Sequence, residues 1–436
     1  MARKMKDSGI EWIGKIPEGW EIVPVRSCFD EVRTKNTDGQ EQNALQFKSG
    51  NIISKTNFNA SMDDYVADTI TNYTVVLPDT VMINGLNLNY DFKSLRVALV
   101  KEKGVITSAY LAIFPDRKKI SPQYATYLFK GYETKMAFHN MGAGIRKTLG
   151  YKEFKNQPLL LPSEKEQNKI SAYLDSKCSH IDIMLSKIRS SIEEYKKLKQ
   201  TVITQAVTKG IRGEREMKDS GVEWIGEIPK YWNIGKLKYY WISVESGVSV
   251  NAADRPIDNP AQYGVLKTSS VSKFIFNPHE HKQVNNDEYS RVTCPVTADC
   301  IIVSRMNTPD LVGACGYVEK TYPNLFLPDR LWQISFKNDV SAKFIWYYLN
   351  NKMVRSYISS LSTGTSSTMQ NISQGQFGNI SVCLPDSNEQ KEIADYLDAK
   401  CAEIDKLIAK KEQLVKELES YKKSLIYEVV TGKREV

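Results

Sequence analysis

Three stretches of this 436-residue chain carry residue types whose spacing could do chemistry, and each lacks something that chemistry requires. Gly142-Ala-Gly-Ile-Arg-Lys147-Thr148 has the glycines, lysine and threonine of a phosphate-cradling loop. Arg146 stands where such a loop needs glycine, however, and no convincing strand feeds it. Asp386, Glu389 and Lys391 have the makings of a nuclease cluster, but they begin a long uninterrupted segment after Pro385 and are explained by helix capping. His279 and His281 are the only neighbours among four histidines. No acidic or thiol partner stands at ligand spacing, so no metal is expected. There is no Asp/Asn-Pro-Pro-aromatic tetrad for amino methylation and no glycine-rich turn for a methyl donor. Nothing in the chain reads as an active site. The seven cysteines, an odd number without a CxxC, read as reduced thiols, with Cys178 and Cys401 as small buried side chains near a helix interface.

The elements that would position any site are organised by repetition. Met5 to Trp20, MKDSGIEWIGKIPEGW, returns as MKDSGVEWIGEIPKYW from Met217, with 12 of 16 positions identical at an offset of 212. LPSEKEQNKISAYLDSKCSHID from Leu161 returns as LPDSNEQKEIADYLDAKCAEID from Leu384, with 12 of 22 identical at an offset of 223. Two matched frames therefore surround two unmatched interiors.

Each lead carries two tryptophans, Trp12 and Trp20 in the first, and reads as irregular structure that docks aromatics. In the first interior the strand-like runs lie at Leu45–Ile53, Tyr73–Asn84, Leu95–Val100 and Tyr110–Phe114, between turn signals. A helix follows from Ser121-Pro122 to about Phe138, and then a glycine loop at Met141 to Gly144. The second interior repeats the plan in different words. Strands are expected at Val265–Phe276, Cys300–Met306 and Leu331–Phe336, one helix over Val340–Leu361 with its aromatics in the core, and a loop over Ser362–Thr368.

After each interior the period becomes helical. Ser163-x-x-Glu166 is a capping box, and no glycine or proline interrupts the chain until Gly210. Apolar residues recur at Ile181, Met184, Leu185, Ile188, Ile192, Tyr195, Leu198 and Val202, and again at Ile404, Leu407, Ile408, Leu414, Val415, Leu418, Tyr421 and Leu425. Helices of this length are expected to bury their stripes on each other.

Composition agrees with a globular protein: 41% apolar, 25% charged, no run near a membrane span and no apolar segment behind MARKMKDSG. A cytoplasmic address is expected. Basic residues exceed acidic by 18 to 14 over 21–160 and by 14 to 11 over 233–383, whereas the stretch from 386 has 10 against 12. This suits interiors that face a polyanion and a frame that faces protein.

The repeated text, KDSGIEWIGKIPEGW and KDSGVEWIGEIPKYW ahead of each interior and LLLPSEKEQNKISAYLD and VCLPDSNEQKEIADYLD behind it, with VTKG and VVTGK at the helix ends, resembles the specificity subunit of type I restriction-modification systems over nearly the whole chain. The resemblance implies a non-catalytic subunit whose interiors are target recognition domains, each reading one half of a split double-stranded DNA sequence. It implies two methyltransferase subunits as partners, with the restriction/motor subunits joined through them. Methyl donor, magnesium and ATP belong to those partners, so no cofactor is expected here, and no membrane. The fold expected is α+β: two mixed α/β recognition domains separated by two long antiparallel coiled-coil helices, in a pseudo-two-fold internal repeat. Its parts are the lead (1–20), recognition domain 1 (21–160), central helix (161–215), repeated lead (216–232), recognition domain 2 (233–383) and C-terminal helix (384–436).

The candidate readers are basic, amide and hydroxyl residues in turns. They are Lys48, Asn51, Lys55, Asn87, Lys93, Arg96, Arg146 and Lys147 in the first domain, and Lys267, Ser269, Lys273, Arg305, Asn307, Arg330, Ser366 and Thr368 in the second. Arg and Lys pair with guanine or phosphate, Asn with adenine. The frame and partner residues are Trp12, Trp224, Ile188, Ile192, Tyr195, Val202, Leu414, Leu418, Tyr421 and Leu425. Two other classes fit less of the text: a standalone nuclease or methyltransferase, and a two-headed DNA-binding or coiled-coil scaffold outside restriction-modification.

Overall fold

The computed structural model describes residues 3–55, 70–92, 95–144, 147–366 and 369–436, with backbone alone over 364–366. The chain forms two compact units, 1–189 with 412–436, and 190–411.

In the first unit the lead is a short antiparallel ladder, Met5–Asp7 with Lys15–Pro17, rather than irregular structure. The interior opens and closes on paired strands: Glu21–Pro24 runs antiparallel to Pro158–Leu161. Between them lies an antiparallel four-stranded sheet in the order Phe29–Glu31, Leu111–Pro115, Val81–Ile83, Val97–Leu99. Val81, Met82 and Ile83 are all buried, which makes this the continuous apolar run of a strand covered on both faces. The helix Pro122–Thr134, capped by the Ser121 hydroxyl, packs on the sheet through Tyr124, Leu128, Phe129 and Tyr132. It ends four residues short of the expected Phe138, where Met136 turns left-handed.

The second unit repeats this plan. The lead ladder is Met217–Asp219 with Glu227–Pro229, and the closing pair is Asn233–Lys236 with Ser381–Leu384. The sheet order is Trp241–Glu245, Leu331–Phe336, Cys300–Ser304, Cys315–Val318, all antiparallel, the same path as in the first unit. Two expectations change here. The run Val265–Phe276 is a strand only over Gly264–Leu266 and then a 3-10 turn, Thr268–Val271. The helix expected over Val340–Leu361 is two helices, Ala342–Leu349 and Lys352–Leu361. The break has a cause. Asn350 donates its side-chain amide to the Phe274 and Cys315 carbonyls, and Asn351 caps the second helix by accepting from the Met353 and Val354 N–H groups.

The long helices run unbroken over Glu164–Lys209 and Ser387–Val430. Within each unit they run antiparallel. Lys422 pairs with Asp182 at 2.6 Å and Arg189 with Glu419 in the first unit; in the second Lys199 pairs with Asp405 at 2.6 Å, and Arg212, just past the end of the central helix, with Glu392 at 2.7 Å. At the repeat offset of 223, Lys199 matches Lys422 and Asp182 matches Asp405. One contact is thus made once in each unit, with the partners exchanged. The expected stripe needs correction on both helices. Ile181, Leu185, Ile192 and Leu425 are buried, and Ile188, Tyr195, Val202, Val415 and Leu418 are partly buried. Met184, Leu198, Leu407, Leu414 and Tyr421 are exposed. Each stands one residue, about 100° of helix, beside a position that does face inward.

Candidate nucleic-acid interface

Most of the candidate readers fall on loops at the sheet ends, and the backbone says how those loops are held. In the first unit the hairpin Leu45–Lys48 with Asn51–Ser54 turns at Ser49 and Gly50, both at positive φ, the signature of a type I′ turn. Lys48 and Asn51 flank its tip, exposed, and Lys55 follows. Glycine suits position 50, where φ is +72° and a Cβ would lie as close as 3.0 Å to the Leu95 Cβ. The loop after Val81–Ile83 joins the loop after the helix: Leu149 N–H donates to the Gly85 carbonyl at 2.9 Å and Leu88 N–H to the Lys147 carbonyl at 3.3 Å. Asn87 and Lys147, both exposed and both at positive φ, are carried on this joined pair. Lys93 and Arg146 lie outside the described residues.

Arg96 is not a reader. It is fully buried, and its guanidinium donates to the carbonyls of Asn84 at 2.8 Å, Leu86 at 2.9 Å and Asp91 at 2.6 Å. Its own N–H donates to the Glu133 carboxylate at 2.7 Å. Burial pushes the Glu133 carboxyl up to about 7, against the pull of that hydrogen bond and of the Arg96 charge. A value raised above the ordinary one means stability fully present below about pH 4.5 and lost as pH rises through about 7. Glu133→Gln keeps an acceptor and removes the ionisation. Its melting temperature should therefore hold between pH 5 and 8 while the wild type's falls, with a gap of up to about 3 kcal/mol at pH 8. Parallel melting curves across that range would show that the carboxyl ionises without cost.

The second unit joins the corresponding loops as a small sheet. Met306–Asn307 pairs with Met369–Asn371, which pairs with Thr363–Ser366. Arg305 N–H donates to the Arg330 carbonyl and Ile372 N–H to the Arg305 carbonyl, so the structure brings Arg305, Asn307 and Arg330 together. Arg330 is exposed and Arg305 half-buried, while Asn307 already bonds Ser304 and the Thr308 N–H with its side chain. Lys267 is paired with Asp254 at 3.4 Å and Ser269 donates to Glu280 at 2.6 Å, so both are engaged within the domain. Lys273 is exposed. Thr368 lies outside the described residues, and of Ser366 only the backbone is described.

Sequence reasoning missed the groups that seat each lead on its frame. Trp20 and Trp232 are fully buried and donate their indole N–H to Glu166 at 2.9 Å and Glu389 at 3.3 Å. Arg3 pairs with Glu166, and Arg215 with Glu389 at 2.7 Å. The Glu166 and Glu389 carboxylates thus serve the lead, not the capping box expected of them, although Asp386 does cap its helix. Gln167 and Gln390 beside them accept from the N–H of Ser121 and Ser341, both at 2.8 Å, and so tie each long helix to an interior. The signal was present: Glu-Gln is identical in both copies. Trp12 and Trp224, expected against the frame, pack their rings on the interiors' helices, Trp12 edge-on to Tyr132 and Trp224 stacked on Tyr357. The Trp12 carbonyl also meets a long helix, accepting from the Tyr427 hydroxyl.

Among the described residues no three acidic, thiol or imidazole groups come together as metal ligands, and no helix is long and apolar enough to cross a membrane. The seven cysteines are free, and burial pushes the Cys178 and Cys401 thiols up.

Comparison with known proteins agrees with this architecture. Residues 262–417 match the family described as the type I restriction modification DNA specificity domain. The type I restriction enzyme MjaVIII specificity subunit of Methanocaldococcus jannaschii is 24% identical over 430 residues, 96% of this chain and 94% of that one. A chain from a structure of complex assembly and conformational transition in the type I R-M system superposes with a TM-score of 0.69 at 14% identity, covering 96% of this chain and 99% of its own length. The HsdS subunit from Thermoanaerobacter tengcongensis gives 0.51 at 14%, covering 96% and 98%. The two structures show a shared fold. Over nearly its whole length the chain is similar to specificity subunits of type I restriction-modification systems, and residues 262–417 match that family's DNA specificity domain.

Proposed function

We infer that this chain is the sequence-reading subunit of a type I restriction-modification complex and that it recognises a bipartite, asymmetric DNA target. One observation carries the reading. Two units with the same sheet order and the same lead clamp present loops of unrelated sequence at the same sheet end. A repeated body with unlike loops suits two different half-sites. The two long helices, antiparallel within each unit, act in this reading as a coiled-coil spacer between the recognition domains. Two methyltransferase subunits bind the frame and bring the restriction/motor subunits with them.

Methylome sequencing of cells carrying the chain with its partner subunits should return one interrupted, asymmetric adenine-methylated motif, and none when the chain is expressed alone. Binding of the complex to that motif should weaken with salt, because phosphate contacts release counterions. A flat salt response would instead favour a scaffold that makes no DNA contact.

The strand pairs that open and close each interior support treating 21–160 as a transferable module, since its entry and exit lie side by side. Replacing residues 21–160 with another reader should change one half of the methylated motif and leave the other. Both halves changing together would refute independent reading.

A further inference from the structure

Each interior holds the loop between its third and fourth strands with an arginine that the repeat did not supply, fully buried in the first unit and half-buried in the second. In the first unit it is Arg96, at the start of the fourth strand, whose guanidinium holds three carbonyls of the loop 84–91. In the second it is Arg355, on the helix Lys352–Leu361. Its Nη2 donates to the carbonyls of Asp310 at 3.2 Å and Val312 at 2.6 Å, in the loop between the third and fourth strands. The two loops occupy the same place in the sheet order, whereas the two arginines come from different elements. Arg355 also lies 5.2 Å from the centre of the Phe274 ring. Gly313, at φ +69°, passes so close that a Cβ there would sit 3.3 Å from the Arg355 Nη1.

Resting on the function proposed above, we propose that Arg96 and Arg355 are positioning residues for half-site specificity. Neither touches DNA. Each sets the loop backbone from which other side chains read. The choice of acceptors supports this. A buried guanidinium tied to carboxylates would brace side chains, whereas carbonyl acceptors brace the main chain itself. Carbonyls also leave the charge unneutralised. Among the described residues the Arg96 guanidinium has one carboxylate within ion-pair distance, Asp91 at 3.6 Å, while Glu133 meets its backbone N–H, and none lies within that distance of Arg355. A net positive charge behind a loop favours a phosphate in front of it. Arg96 Nε, Arg355 Nε and Arg355 Nη1 are buried without hydrogen-bond partners, so each side chain is kept for the bonds its remaining nitrogens make. Lysine cannot replace this geometry, because one ammonium cannot span carbonyls that a planar fork reaches together.

The test uses the assembled complex and its motif. Binding is measured to duplexes in which either half-site is scrambled, giving a discrimination ratio for each half. Arg96→Lys should lower the ratio of one half by about tenfold and leave the other unchanged; Arg355→Lys should do the reverse. A general loss of folding moves both ratios together, so equal changes in the two halves, or no change in either, overturn the proposal. A wild-type complex that discriminates neither half refutes the proposed function instead. Should a lysine variant fail to assemble, hydrogen exchange of the DNA-free wild type decides. Amides in 84–91 and 310–314 should exchange at least about tenfold slower than a free chain, and exchange at the free-chain rate overturns the clamp.

Discussion

Glu389→Ala should lower the melting temperature of the second unit by roughly 6–12 °C, the consequence of about 3 kcal/mol lost from a unit of some 200 residues. The carboxylate is buried and accepts from two donors, Arg215 at 2.7 Å and the fully buried Trp232 indole at 3.3 Å. Removing it strands a largely buried guanidinium and an indole N–H together, which costs more than the pair ever contributed. The site has no room to relax: a Cβ on Gly210, at the end of the central helix, would lie 3.0 Å from the Glu389 carboxylate and 3.3 Å from the Trp232 ring. Glu166→Ala makes the same change in the first unit but should cost less, because Arg3 and Glu166 each keep about a quarter of their side chains in water. Thermal unfolding of both variants checks the order. Equal losses, or a larger one at Glu166, would mean that burial of the pair does not set the cost.

Why was the frame so legible and the recognition surface so little? The long helices could be read because Ser163 to Gly210 contains no helix breaker and its stripe has one period. Their stripe was read one residue too broadly, at Met184, Leu198, Leu407, Leu414 and Tyr421, since spacings of three and four admit two neighbouring faces. The run Leu45–Ile53, expected as a single strand, is instead a hairpin, because Ser49 and Gly50 both turn left-handed in its middle. The common sheet order of the interiors could not be read, because strands such as Val81–Ile83 and Cys300–Ser304 share only apolarity, and strand order depends on contacts distant in sequence. Arg96 shows the limit at a single residue. Arginine is almost never fully buried, so a loop arginine in a basic interior reads as a DNA contact until three carbonyls are seen around it. Asn350-Asn351 likewise looks like helix interior until Phe274 and Cys315 appear as the first amide's acceptors.

Lengthening both long helices by seven residues should widen the gap between the two half-sites by about 3 base pairs without altering either sequence. The expectation rests on the spacer role proposed for the helices, each of which contributes residues to both units. The insertions belong where the helices face each other. Lys411 lies over the Tyr195 ring at 5.5 Å, so positions after Glu194 and after Lys411 extend the pair together. Sites matched by the repeat offset would not do this, because the helices run antiparallel and sequence-equivalent residues do not meet. Seven residues add about 10 Å of rise and turn the apolar stripe by only about 20°, so the burial of Ile192 and its neighbours survives. DNA advances roughly 3.4 Å per base pair, which converts 10 Å into 3 base pairs. Those base pairs also rotate the second half-site by near a third of a turn, and the strain weakens binding. The readout is therefore the position of methylated adenines in cells carrying the lengthened chain and its partners, which reports the gap even when affinity falls. A complex that still methylates at the original gap would show that something other than helix length spaces the two readers.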